Sequence, residues 1–349
     1  MQKTTVAVIF GGCSPEYGVS LQSSYSVLTH LDKEKYNVIP VGITQEGEWY
    51  RYDGAFENIL NDTWHSDDEK LTGIVISQNR SIHGMLEFKH GVTFVTRIDL
   101  AFPVLHGKNG EDGTVQGVFE TAGIPVVGCG ILASALCMDK DRAHKLAEAA
   151  GVAVPKSVAV KEFEKEQVYE LTETLEYPLF VKPVKAGSSY GITKINHKSE
   201  LQDAVAYAFF YDDTVIIEEN IDGFEVGCAV MGIDELTVGR VDEIELSHGF
   251  FDFKEKYTLE TSKIHMPARI DAECEERIRK TAAVIYRALG CSGFARVDMF
   301  LKPNGEIVFN EVNTIPGCTS HSRYPNMMKG IGIEFAELLE RLIGLYCHE

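Results

Sequence analysis

Several common catalytic signatures are missing from this sequence. No Cys-x-x-Cys pair occurs, no HExxH occurs, and no glycine-rich loop ends in Gly-Lys-Ser or Gly-Lys-Thr. Those absences argue against a zinc ribbon or zinc protease and against a P-loop nucleotide site. No apolar run reaches the length of a membrane span. The first residues lead straight into the strand-like Val6–Phe10, with no leader-type apolar segment before a cleavage site. Positive charge is scarce: 33 Lys and Arg face 52 Asp and Glu, a net of −19. A surface of that sign argues against a nucleic-acid binder, although lysines and helix N-termini can still hold a small anion. The eight cysteines are scattered, and we read them as free thiols of a cytoplasmic protein.

What remains is a chain of 349 residues, 44% of them hydrophobic, enough for two or three cored domains. Its first part alternates strand-like and helix-like pieces. Val6–Phe10, Val38–Ile43, Asp99–Leu105 and Ile124–Val127 read as strands; Val19–Leu31 and Val115–Ala122 read as helices. Residues 53–70 are polar and read as a loop or insertion. This alternation predicts a parallel sheet covered by helices, with ligands at the carboxyl ends of its strands. The glycine-rich loops 11–18 and 107–113 lie at such ends. After a boundary near 130 come a helix over Met138–Ala150, a lysine-bearing strand Tyr177–Pro183, a helix Leu201–Phe210 and a strand Thr214–Glu219. Further on, Cys274–Leu289 is an amphipathic helix capped by Asp271, and residues 333–346 form a final helix.

The most informative segment is a hairpin over residues 294–313. Pro303-Asn304-Gly305 is a turn signal between two strand-like runs. With Asn304 and Gly305 as a two-residue loop, Asp298 falls opposite Glu311 and Arg296 opposite Asn313. Alternation then places all four on one face. Val297, Met299, Leu301, Val308 and Val312 occupy the other, where Asn310 interrupts the apolar pattern. Two facing carboxylates repel unless a hard cation takes their oxygens as ligands. Asp298, Glu311 and Asn313 suit magnesium beside a phosphate, and Arg296 could stabilise a developing oxyanion. The competing possibility is a plain solvated face. The polar loop Thr314–Arg323 that follows favours a ligand-facing one.

Other candidates are individually ambiguous. Lys182 and the loop Lys185–Gly191 could cradle phosphate or form an ordinary turn. Glu218, Glu219, Ile221 and Glu225 could hold adenosine or line an acidic edge. His106, before a polar glycine-rich loop, could be a ligand contact or a structural hydrogen bonder. The segment Phe250–Tyr257 could be a lid or a packed loop.

Taken together, the segments FGGCSPEYGVS, HGKNGEDG, MDKDRAHK, VKPVKAGSSYG, EENIDGFE, GFARVD and NEVNTIPGCTSHS resemble the D-alanine–D-alanine ligase family over essentially the whole chain. That family includes the D-alanine–D-serine and D-alanine–D-lactate ligases of glycopeptide-resistant bacteria. The resemblance implies an α/β ATP-grasp fold with an N-terminal Rossmann-like parallel-sheet domain. It implies a substrate domain over 1–130, a central lobe over 131–215, and a C-terminal lobe over 216–349 carrying the metal site and second-substrate loop. It further implies ATP with two magnesium or manganese ions, a cytoplasmic homodimer, and a role in peptidoglycan precursor synthesis.

Residue by residue, Glu16 resembles the group that binds the first D-alanine's ammonium. Ser188 resembles the serine bonded to Glu16 and to a lid tyrosine, here Tyr257. Lys140 and Lys182 resemble the two phosphate-binding lysines, Ser189 falls in the same phosphate loop, and Lys256 resembles the lid lysine at the γ-phosphate. Glu218, Glu219, Ile221 and Glu225 resemble adenosine contacts, and Asp298, Glu311 and Asn313 the metal ligands. Arg296 and the Gly317 N–H resemble the oxyanion-stabilising pair. His106 resembles a histidine near the second substrate, and Ser322 the serine on that substrate's carboxylate. The next position is typically leucine in the D-alanine–D-alanine enzymes and is Arg323 here. Arginine brings hydrogen-bond donors that favour a hydroxymethyl group, as in D-serine. Tyr257 argues against D-lactate, whose enzymes carry histidine there. The expected reaction is therefore D-alanine plus D-serine, with a second D-alanine as the alternative.

Overall fold

A computed structural model of the protein describes residues 3–187, 190–246 and 262–347. Four expected site residues, Ser188, Ser189, Lys256 and Tyr257, lie outside the described residues, as does the segment Phe250–Tyr257.

The first sheet has seven strands: β1 (Thr4–Gly11), β2 (Tyr36–Ile43), β3 (Trp49–Tyr52), β4 (Leu71–Ile76), β5 (Gly84–Lys89), β6 (Val92–Arg97) and β7 (Leu100–Pro103), in the order β6-β5-β4-β3-β2-β1-β7. β1 runs parallel to both β2 and β7. Val6 to Phe10 are fully buried, as expected of a strand covered on both faces. The flanking helices are α1 (Tyr17–His30), α2 (Phe56–Leu60) and α3 (Thr114–Ala122). The expectation of a parallel sheet needs correction: β3 to β6 pair antiparallel, so the sheet is mixed. Short connections dictate this for β2–β3, β4–β5 and β5–β6, because a parallel return needs a long crossover; β3 and β4 pair antiparallel although the longer stretch 53–70 joins them. At the β5–β6 turn, His90 and Gly91 both have positive φ (51° and 76°), the geometry of a two-residue hairpin loop. The polar stretch 53–70 also hides an anchor. Trp64 is fully buried and meets Phe10 edge-on at 4.9 Å between ring centres.

Two short helices, α4 (Ile131–Met138) and α5 (Lys140–Ala149), lead into the second sheet. That sheet comprises β8 (Ser157–Lys161), β9 (Leu179–Pro183), β10 (Thr193–Ile195) and β11 (Thr214–Glu219), ordered β10-β9-β11-β8. A lobe boundary after residue 215 would cut β11, so sheet membership moves the division to the turn between Glu219 and Phe224. The third sheet is β12 (Phe224–Gly232), β13 (Leu236–Leu246), β14 (Ser262–His265), β15 (Gly293–Leu301) and β16 (Ile307–Asn313), ordered β14-β13-β12-β15-β16. The helix Ala272–Ala288 covers one face through Ile278, Ala282 and Ile285, all fully buried. Asp271 caps it by accepting from the Cys274 N–H at 2.8 Å.

The β15–β16 hairpin reaches its expected pairing by an unexpected route. Arg296 lies opposite Asn313 and Asp298 opposite Glu311. Nearer the turn, however, Met299 pairs with Phe309 and Leu301 with Ile307. Lys302 N–H donates to the Glu306 carbonyl at 2.9 Å, and Gly305 has φ +82°. The loop therefore has one residue more than expected, and a β-bulge at Asn310 restores the register. The bulge also explains why a polar residue stands in the apolar series.

Candidate functional site

Two adjoining cavities lie where the three sheets meet. One, of about 340 Å³, is walled by Glu16 and His106 from the N-terminal domain, by Arg296 from β15, and by the loop through Gly317, Ser322 and Arg323. The other, of about 480 Å³, lies between the second and third sheets and is walled by Lys182, Glu218, Glu219, Ile221 and Glu225. Lys140, Ala186 and Glu311 border both. A ligand in one cavity can thus meet a ligand in the other at these three residues.

Glu16 enters the first cavity from the start of α1. Two glycine backbones close on its carboxylate: a Cβ at Gly107 or Gly187 would stand 2.5 or 2.8 Å from Oε2. Both loops need glycine for that approach. His106 is buried, with Nε2 3.4 Å from Ser23 Oγ. Burial pulls its pKa below the usual value, although the Glu16 charge opposes this. Glu111 lies in the HGKNGEDG segment, where nothing in the neighbouring sequence marks its role. Its carboxylate accepts from the Gly107 N–H (2.8 Å) and the Ile315 N–H (3.2 Å), joining the two loops that wall the cavity. Desolvation, reinforced by Glu16, pushes it up to about 8.

Lys140 opens α5, where Asp139 caps the helix by accepting from the Arg142 N–H. Its Nζ donates to the Ala186 carbonyl at 2.8 Å and lies 3.6 Å from Glu311 Oε2. Lys182 on β9 pairs with Glu218 on the neighbouring β11, both buried. Glu219 is engaged at the rim, accepting from the Glu176 N–H at 2.9 Å with Lys156 at 3.5 Å.

On the hairpin face, Asp298 is 1% exposed. Arg296 forks onto both its oxygens, Nε at 2.8 and 3.0 Å and Nη2 at 2.7 Å, and Asn313 Nδ2 donates to it at 2.9 Å. The relief of carboxylate repulsion expected from a cation is here supplied by arginine and lysine. Among the described residues, no three His, Cys, Asp or Glu side chains converge as a metal cluster. The hairpin set comprises two carboxylates and one amide, hard oxygen donors on one face beside the junction of both cavities, and it fits magnesium.

Arg323, expected to bring hydrogen-bond donors to the second substrate, is engaged by carboxylates. Its side chain is buried, with Nε and Nη2 on Asp242 at 2.7 and 2.8 Å, Nη1 on Glu225 at 3.1 Å, and Nη1 3.4 Å from Asp298. Burial works against the cation, but the Asp242 and Asp298 charges outweigh it and hold its pKa well above the usual value. A Cβ at Gly227 would come within 2.3 Å of Nη2, so β12 needs glycine there. Asp242 and Gly227 escaped sequence reasoning because only the packing of β12 against β13 brings them to Arg323. Ser322 Oγ accepts from the Thr319 N–H at 3.1 Å and sits 2.8 Å from the Thr319 hydroxyl. This tight turn keeps Gly317, Ser322 and Arg323 on the cavity wall.

The chain matches the D-ala D-ala ligase N-terminus family over residues 5–129 and the D-ala D-ala ligase C-terminus family over residues 146–344. It is similar to the crystal structure of the VanG D-Ala:D-Ser ligase from Enterococcus faecalis, with TM-score 0.94 and 64% identity over 99% of this chain and 100% of that one. It is 45% identical over 350 residues to the vancomycin B-type resistance protein VanB of Enterococcus faecalis, covering 99% of each chain. The D-alanine–D-alanine ligase structure from Coxiella burnetii matches with TM-score 0.87 and 30% identity, over 99% of this chain and 94% of that one.

Proposed function

This chain belongs to the D-alanine–D-alanine ligase family of ATP-dependent ligases, and we propose on that premise that it joins D-alanine to D-serine. The observation that carries the choice of D-serine is the full-length similarity, at 64% identity, to a D-Ala:D-Ser ligase. The wall of the first cavity supports it. Arg323, held by Asp242, puts a polar donor–acceptor pair where the resemblance expects leucine beside a methyl side chain.

In this reading the larger cavity takes ATP, with Glu218, Glu219, Ile221 and Glu225 toward the adenosine. Lys140 and Lys182 face the phosphates, and Ser189 and Lys256 join them from outside the described residues. Asp298, Glu311 and Asn313 would hold magnesium or manganese, which when bound neutralises phosphate charge. Glu16 binds the ammonium of the first D-alanine, and the carboxylate of that D-alanine attacks the γ-phosphate of ATP to give a D-alanyl phosphate and ADP. The amine of D-serine, its carboxylate on Ser322 and its side chain toward Arg323, attacks that acyl carbon. Arg296 and the Gly317 N–H stabilise the oxyanion, and phosphate leaves. Glu16, His106 and Arg296 share one cavity, so the work of these residues is orientation and charge stabilisation. Ser188 and Tyr257 complete the first-substrate site by resemblance.

The product suits a cell-wall precursor ending in D-serine, as in vancomycin resistance, made by a cytoplasmic homodimer. No helix among the described residues is long and apolar enough to cross a membrane. Phosphate release from ATP, magnesium and D-alanine tests the reading directly. Adding D-serine should stimulate release at least several-fold; a rate indifferent to D-serine contradicts the assignment.

A further inference from the structure

The feature that sets the hairpin's register is the bulge at Asn310, and one buried side chain reaches it. His144 lies on α5, one helical turn beyond Lys140, and is 3% exposed. Its Nε2 is 2.8 Å from the Asn310 carbonyl oxygen. A carbonyl only accepts, so Nε2 carries the proton and Nδ1 is bare. Nδ1 is buried with no hydrogen-bond partner among the described residues, so the ring is committed to this one contact. The ring also stands edge-on to Phe309, 5.5 Å between centres. Burial pulls its pKa down, which keeps the imidazole neutral.

The same strand is tied once more to the segment after α5, where the Phe309 N–H donates to the Ala153 carbonyl at 2.8 Å. The two anchors bracket the point where the ladder shifts. Asn310 is the unpaired residue between Phe309, opposite Met299, and Glu311, opposite Asp298. Without the bulge, Glu311 and Asn313 would exchange faces with their neighbours. Helix α5 therefore fixes Glu311 from two sides: Lys140 at 3.6 Å from its carboxylate, and His144 on the carbonyl of the residue before it.

We propose that His144 is a positioning residue, whose hydrogen bond to Asn310 holds the bulge that presents Glu311 and Asn313 to the metal–nucleotide complex. The proposal rests on the reading of those two residues as magnesium ligands. Its test is calorimetric binding of ADP, with saturating magnesium and with EDTA, to the wild type, His144→Ala, His144→Gln and Glu311→Gln. Supporting groups around a metal site typically change metal affinity by about 10–100-fold. His144→Ala should weaken ADP binding about tenfold in magnesium and leave it within about twofold in EDTA. Glutamine, whose amide N–H reaches close to the place of Nε2, should restore most of the loss. Should the alanine variant fail to fold, His144→Asn, too short to reach Asn310, takes its place. Equal losses with and without magnesium, or glutamine no better than alanine, would overturn the proposal. If Glu311→Gln weakens magnesium-dependent binding and His144→Ala does not, His144 alone is refuted. If Glu311→Gln has no effect, the metal reading fails and the proposal with it.

Discussion

Replacing Arg323 with leucine removes a cation from among three carboxylates. Asp298 keeps the Arg296 fork and the Asn313 amide, so its loss is small. Asp242 is 1% exposed and loses a two-point ion pair, keeping the Gly227 N–H at 3.0 Å. Deleting one partner of a buried pair costs about 3–5 kcal/mol, because the other charge stays buried. At roughly 2 °C of melting temperature per kcal/mol for a chain of this size, the expected drop is roughly 6–10 °C. Removing both charges should be far milder, so Arg323→Leu/Asp242→Asn should regain at least half of that drop. The same change alters the second-substrate wall. A hydrogen bond to a charged group is worth about 1.5–3 kcal/mol, so preference for D-serine over D-alanine should fall by about 10–100-fold. Thermal melts and separated products from a mixture of both amino acids check the two halves. A melting temperature within about 2 °C of wild type refutes the pairing argument, and an unchanged product ratio refutes the specificity argument.

Other expectations follow from the same site. Glu311→Gln should sharply reduce turnover at low magnesium and recover in part as magnesium rises; turnover indifferent to magnesium would remove Glu311 from the metal site. Glu111 has a folded-state pKa of about 8, above its ordinary value of 4.5. Across that window the folded chain keeps a proton that the unfolded chain releases, so stability falls as pH rises. Between about pH 5 and 8 the wild type should lose melting temperature relative to Glu111→Gln; parallel curves would refute the assignment. Gly227→Ala should destabilise by about 1–3 kcal/mol, since the added carbon meets Arg323 and Asp242; an unchanged melt would show that the pair has room to move.

The legibility of this chain in its sequence depended on how local each feature was. Asp271 and its helix, or Thr214–Glu219 as a strand, follow from neighbouring residues and emerged with the expected bounds or nearly so. The face shared by Arg296, Asp298, Glu311 and Asn313 was also readable, but by compensation. The turn was one residue longer than assumed, and the bulge at Asn310 made up the difference. The antiparallel run β3 to β6 is hard to read because its strands are short and mix apolar with polar residues, which leaves little periodicity to detect. Arg323 shows the deeper limit. Its identity was visible, whereas its partners Asp242 and Glu225 come from strands some 80 and 100 residues earlier, which only tertiary packing brings together. Glu111 was hidden in the same way, because Ile315 joins it from the opposite domain.

Competition between the two candidate second substrates tests the central claim most directly. With ATP, magnesium and equal concentrations of D-alanine and D-serine, the dipeptides are separated and counted. The account predicts D-alanyl-D-serine as the main product. A dominant D-alanyl-D-alanine product would contradict it.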